Sequence, residues 1–156
     1  MPTCYQLIGV PAAGKSTWVQ AQAWMQDYAY ISTDKFVDAH AELVDKTYNE
    51  VFHEVMKHAV ELMAQEVVAA RDAGKNIVWD QTSCSISSRK KKFNMLKDYE
   101  HVAVVFKTPE TKELHRRLAG RPGKNIPLNV VEQMARDLEM EPPALEEGFK
   151  EIWFAQ

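Results

Sequence analysis

Short unbroken apolar runs alternate along this chain with longer stretches in which apolar residues recur at helical spacing. Residues 4–10 (CYQLIGV) are apolar and run into a glycine, which predicts a buried strand. A helix is expected from near Gly14-Lys15 to about Asp27, then a second strand over 28–32 (YAYIS). Apolar residues at 48, 51, 52, 55, 59, 62, 63, 67 and 70 mark one long helix, for which Gly74 suits the C-terminal cap. A third strand follows over 76–79 (NIVW), closing on Asp80. A basic helix is expected over 86–96 and a β-branched fourth strand over 101–106. Further helices are expected over 109–118 and 128–138, with a loop at Arg121-Pro122-Gly123-Lys124 between them. Pro142-Pro143 is expected to end regular structure. Strands that alternate with helices imply a mainly parallel α/β sheet of about four to five strands covered on both faces.

The chain has 156 residues, the size of one domain, and its 46% hydrophobic and 26% charged content is that of a globular protein. One domain over 1–156 is expected, with a lid at about 116–127. No apolar run is long enough to span a membrane, and the N-terminus does not read as a signal peptide. Cys4 and Cys84 show no metal or disulfide spacing, so a cytoplasmic setting is the expectation. The five histidines read as structural or surface residues, and the helical methionines as core fillers. Trp153 and Phe154 either dock the C-terminus or form a contact patch, which leaves a homo-oligomer open. The net charge of −3 hides an asymmetry: residues 86–124 hold eleven Lys/Arg and four Asp/Glu. That points either to a polyanionic partner or to solvated helix faces.

The sharpest chemical signal is Gly9-Val10-Pro11-Ala12-Ala13-Gly14-Lys15-Ser16, which fits G-x-x-x-x-G-K-[ST] between a predicted strand and a predicted helix. Gly9 and Gly14 allow the backbone to wrap a phosphate, and the N–H groups through Ala12, Ala13 and Gly14 supply partial positive charge. Lys15 would meet the β- and γ-phosphates of ATP. Ser16, with Thr17 as the weaker candidate, would ligate Mg²⁺. Ligands of open α/β sheets lie beyond the carboxyl ends of the strands, where Asp34 and Asp80 are expected. One would serve the metal and the other would accept a proton from a hydroxyl; the alternative for Asp34 is a helix N-cap. Arg116, Arg117, Arg121 and Lys124 surround the lid, where planar guanidinium groups suit phosphate oxygens.

The ordered set GVPAAGKSTW, ISTD, IVWDQT and ELHRRLAGRPGKNIPLNVVEQM resembles the kinase domain of bacteriophage polynucleotide 5′-kinases, an adenylate-kinase-like branch of P-loop phosphotransferases. The resemblance covers residues 4–138. It implies a three-layer sandwich and transfer of the ATP γ-phosphate, with Mg²⁺, to the 5′-hydroxyl of DNA or RNA, in host cytoplasm if phage-encoded. Lys15 and Ser16 match the phosphate lysine and metal serine. Asp34 matches the general base, and Asp80 the acidic residue after strand three. Arg117 and Arg121 match two lid arginines, Arg121 being the better match for transition-state contact. The acceptor side would comprise Asp34, Lys35, Asp80, Gln81, Thr82 and Arg89. Two departures fall there. Val37 stands where an arginine holds substrate phosphate, which leaves Lys35 as a substitute. Asp80-Gln81-Thr82 replaces Asp-Thr-Asn. With no Asp-x-Asp-Gly-Thr segment, phosphatase activity is not expected. The rival readings are a kinase of small-molecule hydroxyls or phosphates and a P-loop ATPase or switch.

Overall fold

The computed structural model describes residues 1–121, 124 and 126–155. Five parallel strands, β1 (Thr3–Ile8), β2 (Ala29–Ile31), β3 (Ile77–Asp80), β4 (Glu100–Phe106) and β5 (Phe149–Ala155), form one sheet in the order β2-β3-β1-β4-β5. The chain leaves central β1 to one side for β2 and β3 and to the other for β4 and β5. A crevice forms at such a reversal, outside the carboxyl edge.

Among the described residues six α-helices surround the sheet: α1 (Lys15–Ala21), α2 (Asp34–Leu43), α3 (Tyr48–Asp72), α4 (Ile86–Met95), α5 (Thr111–Ala119) and α6 (Leu128–Met140). α3 starts at a reciprocal cap between Thr47 and Glu50 and ends before Gly74, whose positive φ suits the turn. Its buried stripe of Val51, Val55, Ala59, Met63, Val67 and Ala70 packs first on α2 and then on the sheet. On one sheet face Cys4, Ile77 and Trp79 meet α3 and Leu96. On the other, Leu7, Val78 and Val104 meet Val19 and Met25. Gln6 and His101 form a buried polar pair in which the amide donates to Nδ1 and Nε2 donates to the Leu96 carbonyl.

Two boundaries differ by more than two residues from the sequence reading. α1 stops at Ala21 because the Gln22 and Gln26 side-chain amides donate to the carbonyls of Trp18 and Val19. A short 3₁₀ turn over Ala23–Met25 then brings Met25 onto the sheet. Regular structure does not end at Pro142-Pro143. Gly148, at φ 124°, turns the chain into β5, which pairs along β4. Trp153 and Phe154 therefore belong to an edge strand. Of the expected lid, Pro122, Gly123 and Asn125 lie outside the described residues.

Candidate active site

The loop between β1 and α1 opens onto the crevice. A Cβ at Gly9 would lie 2.9 Å from the Phe106 Cβ, so only glycine lets the loop pass β4 this closely. The Gly9 N–H donates to the Thr82 carbonyl at 2.9 Å, which ties the loop to the segment after β3. Ala12 at φ 66° and Gly14 at φ 97° hold the left-handed backbone that turns N–H groups inward. Lys15 Nζ donates to the Gly9 and Val10 carbonyls, each at 2.9 Å. Burial pulls the Lys15 pKa below its usual value, against the opposing pull of Asp80 and Asp34. Ser16 and Thr17 are exposed at the first turn of α1.

The two carboxylates stand where the strand ends place them, each held by a tyrosine hydroxyl. Tyr30 donates a short hydrogen bond to Asp80 Oδ2, and Tyr48 donates to Asp34 Oδ1 at 2.7 Å. Burial raises the Asp80 pKa, with Tyr30 and Lys15 pulling the other way. Both tyrosines are pushed above the ordinary phenol value, by burial first and then by their carboxylate partners. Asp34 is not the N-cap: Thr33 occupies that position and Asp34 is the first helical residue. Neither tyrosine was marked by a motif. The position of Tyr30 in β2 and that of Tyr48 beside the Thr47 cap were the available hints.

Arg117 donates to the Ala12 carbonyl at 3.0 Å and to Glu113, which also takes Arg116. Those hydrogen bonds, Arg116 first, hold the Glu113 pKa down to about 2. Arg121 has a buried Nη1 with no hydrogen-bond partner among the described residues, and its charge is felt by Lys15 and Tyr48. Lys124 reaches across the cleft to Asp38 at 2.9 Å and lies 4.7 Å over the Tyr48 ring.

Gln81 and Thr82 line the cleft, Gln81 accepting from the Trp79 indole. Three other expectations change. Arg89 is not on the acceptor side. It is fully buried, ion-paired with Glu147 at 2.8 Å and bonded to the Ser83 and Glu141 carbonyls, so it ties α4 to the segment before β5. Lys35 lines the cleft, but Glu66 and the Tyr30 carbonyl hold its ammonium at 2.6 Å each. Val37 is buried between α2 and α3, so the position where an arginine was missed faces core. Lys92 is buried over the Trp79 ring, and no residue of α4 lines the cleft. His53, read as structural or surface, is exposed and does line it.

Strand order, phosphate loop and cleft together define a P-loop kinase fold. A family model described as an AAA domain (AAA_33) matches residues 6–141, and the chain belongs to that family. Among solved structures it is similar to a kinase candidate from Chloroflexus aurantiacus J-10-fl, with TM-score 0.71, 14% identity and coverage of 99% of this chain and 87% of that one. A chain of the Pnkp1/Rnl/Hen1 RNA repair complex matches at TM-score 0.69 and 23% identity, over 89% of this chain but only 44% of that one. Shikimate kinase from Acinetobacter baumannii, in complex with shikimate, matches at TM-score 0.56 and 16% identity, over 100% and 84%. At these identities the likeness is one of fold. Among the described residues no helix is long and apolar enough to cross a membrane, and no three His, Cys, Asp or Glu gather as a metal cage.

Proposed function

We propose that this protein transfers the γ-phosphoryl group of ATP to a hydroxyl, and that the acceptor is the 5′-hydroxyl of a nucleic-acid end. The observation that carries the reading is that Lys15, Asp34, Asp80 and Arg121 line one cleft, near enough for the charges of the other three to act on Lys15. In this reading Lys15 and Arg121, whose Nη1 has no partner among the described residues, serve the donor, and Asp34, held by Tyr48, serves the acceptor. The cleft is wide and open, with a volume of about 2160 Å³ against the ~300–1,000 Å³ of a single-ligand pocket.

In this reading Asp34 accepts the hydroxyl proton as the oxygen attacks the γ-phosphorus in line. A new P–O bond forms and the bond to the ADP oxygen breaks. Lys15 leaves its loop carbonyls for the β- and γ-oxygens, and Arg121 meets the charge that develops on the transferring group. Arg117 steadies the loop through Ala12. The residues present fit a Mg²⁺ ion: an exposed Ser16 hydroxyl and a half-buried Asp80 carboxylate are the hard oxygen donors that it takes. Ser16 and Asp80 would hold it, and its chemistry there is neutralisation of phosphate charge.

A small-molecule acceptor is the second reading. The specific observation in its favour is that the cations of α4 do not reach the cleft. The test is transfer of label from γ-labelled ATP with Mg²⁺ to a 5′-hydroxyl oligonucleotide, beside nucleosides, shikimate and an acceptor-free control. Label on the oligonucleotide, lost in Lys15→Ala and reduced at least about 100-fold in Asp34→Asn, is the expected result. Label confined to shikimate would overturn the nucleic-acid reading and keep the kinase. Acceptor-independent hydrolysis alone would overturn both.

A further inference from the structure

The first turns of α3 present Tyr48, Phe52, His53 and Met56 to the cleft. Tyr48, Phe52 and Met56, at i, i+4 and i+8, share one helix face, and His53 lies at its flank. The Tyr48 and Phe52 ring centroids are 5.5 Å apart, and those of Phe52 and His53 are 5.4 Å apart. Tyr48 and Met56 also pack on the core between α2 and α3. Phe52 does not belong to that core, and its partly exposed ring lines the cleft. α2 lines the same cleft with Asp34, Lys35 and Asp38. The one cation that these two helices bring to the cleft, Lys35, is bound to Glu66, and Lys124 from the loop is bound to Asp38. This wall is therefore aromatic and acidic, with its cations neutralised. A phosphate or carboxylate placed against α2 and α3 would meet carboxylates, and Arg121, whose charge reaches Tyr48, is taken in this reading by the transferring phosphoryl group.

We infer that the Tyr48-Phe52-His53 face is the subsite for the acceptor's terminal base, so that the acceptor is recognised through an uncharged flat ring and not through the phosphate next to it. The inference rests on the kinase reading above and specifies its acceptor. The geometry suits a nucleoside. Tyr48 holds Asp34, the group proposed to take the hydroxyl proton. Phe52 lies one turn further along α3, about 6 Å at 1.5 Å per residue, the span of a sugar between hydroxyl and base. Stacking on an aromatic side chain tolerates any base and is strong enough to dominate such a site.

The test compares a 5′-hydroxyl oligonucleotide with the same strand carrying an abasic 5′-terminal residue, and a nucleoside with its 3′-phosphate. Wild type should show an acceptor KM on the order of tenfold higher for the abasic end. Phe52→Ala should raise the KM of the base-bearing end by a similar factor and erase the difference between the two ends, without moving the KM for ATP. Phe52→Trp should keep the discrimination, which separates stacking from a general loss of fold. The nucleoside and its 3′-phosphate should have KM values within about threefold. Equal use of base-bearing and abasic ends by wild type would overturn the inference while leaving the kinase in place. So would a tenfold or greater preference for the 3′-phosphate. Absence of label on every nucleoside and oligonucleotide would overturn both.

Discussion

Asp34 and Asp80 are each held by a phenol that lies far away in sequence. Tyr48 is 14 residues from Asp34, and Tyr30 is 50 from Asp80. A hydroxyl that donates to a carboxylate fixes which oxygen faces the substrate, and that orientation is what a general base needs. Tyr48→Phe keeps the ring and removes the donor. It should lower kcat on the order of tenfold with the KM for ATP unchanged, in steady-state transfer assays. Tyr48→Phe combined with Asp34→Asn should lose no more than Asp34→Asn alone, because residues acting through one another are non-additive. Additive losses would mean that Tyr48 acts elsewhere. Lys15 and Gly14 were legible because the loop is one contiguous motif. The tyrosines were not, because no local pattern records a hydrogen bond made between separate elements.

The basic helix α4 shows how an element's charge can mislead. Arg89 and Lys92 face inward, and only neighbours such as Lys90 and Lys91 are exposed. Arg89→Ala would strand Glu147 and two carbonyls and should cost about 3–5 kcal/mol, read as a lower urea midpoint. Lys92 behaves oppositely. Burial lowers its pKa to about 8 from 10.5. Below pH 8 the ammonium is charged in both folded and unfolded chains, and its full burial cost is present. Between the two values the unfolded chain binds more protons, so stability rises with pH. The cation–π contact with Trp79 offsets part of that cost. Lys92→Met should therefore stabilise the protein by about 1–2 kcal/mol at pH 7, with the gain shrinking as pH approaches 10.5 in urea titrations. A gain that does not change with pH would rule out this origin.

For the whole molecule, the parallel order β2-β3-β1-β4-β5 brings residues 9–17, 34, 80, 117 and 121 to one edge. It also leaves the surface cations of α4 away from that edge. If the acceptor is a nucleic-acid end, few of its phosphates are neutralised on binding. The slope of log KM against log salt for an oligonucleotide should then be about 1–2 rather than the ~4–7 of a protein that meets about 6–10 phosphates of a single strand. A steep slope would require a basic surface beyond the cleft. Across the cleft, Lys124 and Asp38 form an exposed pair worth about 0–1 kcal/mol. A pair that weak contributes little to holding the cleft, so Lys124→Ala should change acceptor KM by less than about threefold.

Periodicity and one eight-residue motif determined, without any structure, the alternating α/β plan, the phosphate loop and the carboxylates at the strand ends. Each depends on contacts within a few residues, or on the rule that ligands meet a parallel sheet at its carboxyl edge. Tertiary structure alone decided the rest. It turned FKEIWFA into an edge strand because β4 offers an open partner, and it buried Arg89 because Glu147 comes to meet it. It also sank Val37 into the α2–α3 core and bound Lys35 to Glu66. In each case the deciding partner lies on another element, and the side chain's fate follows from desolvation and pairing that local sequence does not encode.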